Sequence, residues 1–299
     1  MPNVEANGIS LAWEAQGDPA RPVILLVMGL GANLVLWPQE LCARLTDAGF
    51  RVVRFDNRDC GGSSILRHLG TPNFALASLR YALHLPVRSP YSLDDMARDT
   101  LGVLDALGIA RAHVVGASMG GMIAQNLAAS HPQRVASLTS IMSTTGRRSL
   151  PGPTAGARRA MLAPPAPPGD FEGAVRRMMK VLTEIGSRSH PPDAAWLRAF
   201  CERHVRHGSD PGGAARQLMA IVAAGDRTPI VERIRVPTLV IHGDEDPLLR
   251  PACGEATAEA IRAGGGTVSL ERVRGMGHDF PMPLMPAIAA RVVEHCGKA

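Results

Sequence analysis

The sequence is poor in aromatics: three Trp, two Tyr and six Phe make up 4% of 299 residues. So few flat rings leave no stacking platform for nucleic-acid bases. Lysine is nearly absent, with only Lys180 and Lys298, so almost all of the 32 basic residues are arginines. They are spread along the chain rather than gathered into a groove-sized stripe, and the net charge of +5 reads as a solvated arginine-rich surface with no nucleic-acid partner. The five cysteines (Cys42, Cys60, Cys201, Cys253 and Cys296) are odd in number and contain no CxxC pair. That spacing excludes a disulfide framework and a thiolate zinc site, and implies free thiols in a reducing compartment. No apolar run is long enough to span a membrane. The start, MPNVEANGIS, has neither the basic end nor the apolar stretch of a secretory signal, so a cytoplasmic location is expected.

What is present suits a globular protein with a sizeable core: 45% of residues are hydrophobic and 20% charged. Asn7-Gly8 between VEA and ISLAWEA predicts a hairpin, since both residues accept the positive φ of a type I′ turn. Short β-branched apolar runs follow at 22–29, 51–56, 112–118, 135–143, 237–246 and 267–273, the pattern of strands buried on both faces. LWPQELCARLTDAG, SLDDMARDTLGVLDALGI and MIAQNLAASH separate them with helical spacing, and Ser92 with Asp95 forms a capping pair. Strands alternating with helices predict an α/β fold with a doubly wound, mostly parallel sheet. Residues 64–91 make a long excursion that holds a short helix near the carboxyl edge of the sheet. The segment 147–226 opens Pro/Gly-rich and continues amphipathic, which predicts a helical cap inserted between core parts 1–146 and 227–299.

Chemistry concentrates at predicted strand ends, where open α/β sheets place their sites. In GASMGG, Gly116 and Gly120 flank Ser118 and permit a tight strand-to-helix elbow that lifts the hydroxyl above the sheet. A serine needs a base to take its proton, and the base needs a third group to hold its tautomer. HGDEDPLL supplies Asp246, with Asp244 as the alternative, and GMGHDFP supplies His278. His242 reads as structural. Oxyanion donors are expected from the backbone N–H of Met119, at the helix start, and of Leu30, in the MGLGAN loop.

GASMGG, HGDEDP, GMGHDFP and FDNRDCGGS together resemble the α/β-hydrolase superfamily. VMGLG…LWP, FDNRD and GMGH resemble its bacterial esterase branch, which includes the anthracycline methylesterases. The resemblance implies Ser118 as nucleophile, Asp246 as acid, His278 as base, and Leu30 and Met119 as oxyanion donors. Many members carry His-Gly where this chain has Met28-Gly29, and Gly where it has Asp59. The expected activity is that of a serine carboxylesterase acting on small to medium apolar esters through an acyl-enzyme, without metal or organic cofactor. Thioesterase, lactonase, perhydrolase, carbon–carbon hydrolase and acyltransferase chemistries use the same triad, and a non-catalytic ligand receptor uses the same fold.

Three rival readings are weaker. Met28-Gly29-Leu30-Gly31 with Asp56 mimics half of a dinucleotide fingerprint, but position 34 is Leu where a third glycine is required. Cys201, His204 and His207 at three-residue steps wind around a helix without a carboxylate, so an exposed cap helix is expected in place of a metal site. Met161, Met178, Met179, Leu182 and Met219 read as helix packing, with an acyl-pocket lining as the alternative.

Overall fold

A computed structural model describes all residues, Met1–Ala299. Its strands are β1 (Asn3–Ala6), β2 (Ile9–Gln16), β3 (Val23–Val27), β4 (Arg51–Phe55), β5 (Ala112–Ala117), β6 (Val135–Ile141), β7 (Thr238–Gly243) and β8 (Val268–Val273). They form one eight-stranded sheet in the order β1-β2-β4-β3-β5-β6-β7-β8. The first two strands pair as the expected hairpin, with Asn7 at φ 50° and Gly8 at φ 79° in the turn. β2 runs antiparallel to β4, and every later pairing is parallel.

The helices are α1 (Gln39–Asp47), α2 (Phe74–Ala82), α3 (Leu93–Ala106), α4 (Met119–Ser130), α5 (Ala155–Met161), α6 (Phe171–Ile185), α7 (Ala194–His207), α8 (Pro211–Ala224), α9 (Thr228–Val231), α10 (Ala252–Ala263) and α11 (Met285–Gly297). Alternate side chains of β3 enter opposite cores: Leu25 and Val27 pack with residues of α3 and α4, and Ile24 and Leu26 with those of α1 and α11. Each large apolar side chain buried this way contributes about 1.5–3 kcal/mol. β8 is only half-buried, because β7 is its sole neighbour.

Between β6 and β7 the chain leaves the sheet and forms α5 to α9. Four of these helices start on a side-chain cap, with Thr154, Asp170, Asp193 and Asp210 accepting from the N–H groups of Ala157, Gly173, Trp196 and Gly213. Helix α7 is not the exposed helix expected: Cys201 and His204 are buried. All five cysteines are free and buried, and burial pushes the Cys42 thiol up to about 11.

Candidate active site

Ser118 occupies the turn from β5 into α4 at φ 56° and ψ −119°, a conformation that costs a non-glycine residue about 1–3 kcal/mol. The positions two before and two after it must be glycines. A Cβ on Gly116 would sit 2.2 Å from the Gly120 carbonyl oxygen, and one on Gly120 would sit 2.0 Å from that of Val27. Two bonds hold the turn: the Ser118 N–H donates to the Ile141 carbonyl (3.0 Å), and the Ser143 hydroxyl donates to the Ser118 carbonyl (2.8 Å).

Asp246 lies beyond β7 and His278 beyond β8, and the structure brings both to Ser118. His278 Nδ1 is 2.7 Å from Asp246 Oδ2, and His278 Nε2 is 2.9 Å from Ser118 Oγ. A carboxylate only accepts, so the ring proton sits on Nδ1 and Nε2 is left to accept from the hydroxyl. Asp246 Oδ1 accepts from the N–H groups of Leu248 and Leu249, each at 2.9 Å. Burial alone would push this carboxyl up. The facing His278 ring and its hydrogen bond, with the His242 ring nearby, outweigh burial and hold it below the usual carboxylate range.

Asp244, the alternative acid, instead accepts from the Gly275 N–H at 2.7 Å and shapes the neighbouring turn. His242 donates to the Leu249 carbonyl (2.7 Å) and passes 3.5 Å from Asp246. The loop carrying His278 is anchored to α6, because the His278 N–H donates to the Ile185 carbonyl at 2.8 Å. Beside it, Ser187 donates to Asp279 Oδ1 (2.5 Å) and accepts from the Gly277 N–H (2.7 Å). Burial pushes the Asp279 carboxyl up, against the bonds it accepts from the Ser187 hydroxyl and from the Ser187 N–H (3.1 Å).

The loop Gly29-Leu30-Gly31 lies beside Ser118, where a Cβ on Gly29 would come 3.1 Å from the Ser118 Cβ. The Leu30 N–H has no acceptor within the chain. Met119 opens α4, where an N–H lacks an intrahelical partner. Both amides are therefore available to an incoming oxygen. Asn57 donates to the Met28 carbonyl (2.8 Å), and from α8 Gln217 bridges two loops. Its Oε1 accepts from the Gly31 N–H and its Nε2 donates to the Arg58 carbonyl, each at 2.7 Å.

Asp59, at φ 66°, adopts the left-handed backbone that glycine favours. Its carboxylate receives a bidentate pair from Arg216 (2.6 and 2.8 Å), the Tyr91 hydroxyl (2.8 Å) and the Leu66 N–H (2.7 Å). These bonds outweigh burial and keep it below the usual range. Gln217, Arg216 and Ser143 escaped the sequence reading, because each acts on residues distant in sequence and belongs to no short motif.

The rival sites take other roles. Asp56 accepts from the N–H groups of Leu34 (2.7 Å) and Gly62 (2.8 Å) and from His207 (2.6 Å), leaving no geometry for a ribose. No group of three or more His, Cys, Asp or Glu side chains is placed to hold a metal ion. Above Ser118 and His278 lies a cavity of about 1690 Å³ whose walls are mostly apolar, among them Met122, Met178, Leu182 and Phe200.

Comparison with known proteins agrees with this architecture. A family described as alpha/beta hydrolase fold matches residues 22–282. The chain is similar to a rhodomycin D methylesterase of a Streptomyces species, 29% identical over 96% of this chain and 95% of that protein. It is similar to 3-oxoadipate enol-lactonase 2 of Acinetobacter baylyi, 27% identical over 86% of this chain and 83% of that one. Among solved structures, the enol-lactonase from Burkholderia xenovorans superposes with a TM-score of 0.72 at 25% identity, covering 99% of this chain and 100% of that chain.

Proposed function

Because the chain belongs to the alpha/beta hydrolase fold family, we propose that it is a serine carboxylic-ester hydrolase that works through an acyl-enzyme. The observation that carries this reading is the line from Ser118 Oγ to His278 Nε2 (2.9 Å) and from His278 Nδ1 to Asp246 Oδ2 (2.7 Å). Ser118 attacks the ester carbonyl, and His278 takes its proton and hands it to the leaving alkoxide. Asp246, held ionised, stabilises the imidazolium that forms between the two steps. The Leu30 and Met119 N–H groups donate to the developing oxyanion, a contribution of about 2.7–4 kcal/mol per donor in comparable sites. Water then enters by the same route and releases the acid.

From the size of the cavity we infer apolar esters at the upper end of, or beyond, the small to medium range expected from sequence. At about 1690 Å³ the cavity exceeds the roughly 300–1,000 Å³ of ordinary small-molecule pockets. A methylesterase among the relatives supports an ester of a small alcohol. Labelling with a fluorophosphonate tests the reading: mass spectrometry should find one adduct per chain, on the peptide containing Ser118, and none after His278→Ala. An unlabelled wild-type chain, or an adduct elsewhere, would refute it.

A further inference from the structure

Exposed apolar side chains gather in one region. Of the ten large hydrophobic residues that stand open to solvent, all but Met1 belong to it: seven lie between Leu69 and Leu85, and Leu162 and Met282 line the cavity together with Phe74. Helix α2 buries only Ala77, although its sequence, FALASLRYA, is largely apolar. A concentration of this kind on an otherwise well-packed molecule marks a contact surface.

The same region is basic. Segments 64–91 and 147–169 contain no Asp or Glu at all. Arg148 ties them together, donating to the Tyr81 carbonyl (3.3 Å), meeting His84 Nδ1 (2.6 Å) and lying 4.2 Å over the Tyr81 ring. Arg67 pairs with Asp210, and Arg147 lies 3.7 Å from Glu259. Within these segments Arg80, Arg88, Arg148, Arg158 and Arg159 make no ion pair.

We propose that this face, centred on α2 and the cavity mouth, docks on an anionic lipid surface. Leucines and aromatics interleaved with unpaired arginines match a layer whose interior is apolar and whose headgroups are negative. A second copy fits worse, since a two-fold contact would set identical arginine-rich faces against each other. No helix of the chain is long and apolar enough to cross a membrane, so α2 would lie in the interface plane. With Phe74, Leu162 and Met282 both exposed and lining the cavity, an apolar ester could pass from the lipid to Ser118 with little contact with water. That last step rests on the proposed hydrolase function; the docking does not.

Co-sedimentation with vesicles tests the docking directly. The full chain should pellet with vesicles of phosphatidylcholine and phosphatidylglycerol, and remain in solution with phosphatidylcholine alone. The double variant Arg88→Glu/Arg159→Glu should bind the anionic vesicles weaker by about fivefold or more per arginine. Leu76→Ser/Leu79→Ser should weaken binding by roughly tenfold, with the thermal midpoint and hydrolysis of a water-soluble ester unchanged. No binding by the wild type, equal binding to neutral vesicles, or variants that bind as well as the wild type would each overturn the proposal. So would a wild-type dimer that the leucine variant turns into a monomer, which would assign the face to a second copy.

Discussion

At the scale of single residues, the site depends on groups whose replacements separate chemistry from folding. In the proposed mechanism Asp246 fixes the tautomer of His278, so Asp246→Asn should lower kcat on p-nitrophenyl butyrate by about 10⁴-fold. Asp244→Asn should leave kcat within about threefold, because Asp244 bonds the Gly275 N–H and not His278. This pair tests the choice of Asp246 over the fallback Asp244, since both follow the same strand and the fold shows Asp246, not Asp244, facing the histidine. Asp246 also has a folded pKa below its unfolded value, so its contribution to stability is present above about pH 3.9 and is lost as the pH falls through the folded value. Acid-unfolding curves of Asp246→Asn should accordingly show a shallower loss of stability at low pH than those of the wild type. Ser118, His278, Leu30 and Met119 were all legible as candidates, because each follows a short apolar strand. The distances joining them were not.

At the scale of elements, helix α8 is fastened to the Gly29–Gly31 loop beside Ser118 and to the loop carrying Arg58. Gln217→Leu removes the acceptor for the Gly31 N–H and the donor to the Arg58 carbonyl. A loosened loop should misplace the Leu30 amide, lowering kcat by about 10- to 100-fold with KM changed by less than about threefold. Arg216→Met leaves the buried Asp59 carboxylate without its bidentate partner and should cost about 3–5 kcal/mol in denaturant unfolding. Nothing in the sequence announces these bonds, because Gln217 and Gly31 are 186 positions apart. The strands of the central sheet were legible for the opposite reason: burial on both faces demands continuous β-branched runs, which stand out locally. Helix α10, built from ACGEATAEAIRA, gave no comparable signal, since small alanines replace the larger side chains that mark an apolar stripe. Cys201, His204 and His207, wound around α7 at three-residue steps, read as an exposed helix, whereas the structure buries Cys201 and His204, and burial pushes the His204 pKa down to about 4.

For the whole molecule, the pair formed by His207 of α7 and Asp56 at the end of β4 links the inserted helices to the sheet. The hydrogen bond to Asp56, opposed by burial, raises the His207 pKa. Its contribution to stability is therefore fully present below the unfolded value of about 6.5 and is lost as the pH rises through the folded value. Burial lowers the pKa of His113 and His204 instead, so their contributions run the other way and are lost on acidification. Comparing His207→Gln with the wild type isolates the first effect: the difference in thermal midpoint should shrink as the pH rises from 6 to about 9. The central claim, that Ser118 is a nucleophile within this fold, has a more direct test. Hydrolysis of p-nitrophenyl esters of increasing acyl length should be measured for the wild type and Ser118→Ala in parallel. The wild type should turn over, with kcat lower by about 10⁴-fold or more in the variant, on the order of the loss seen when a triad nucleophile is removed. A variant that keeps wild-type turnover would contradict that claim.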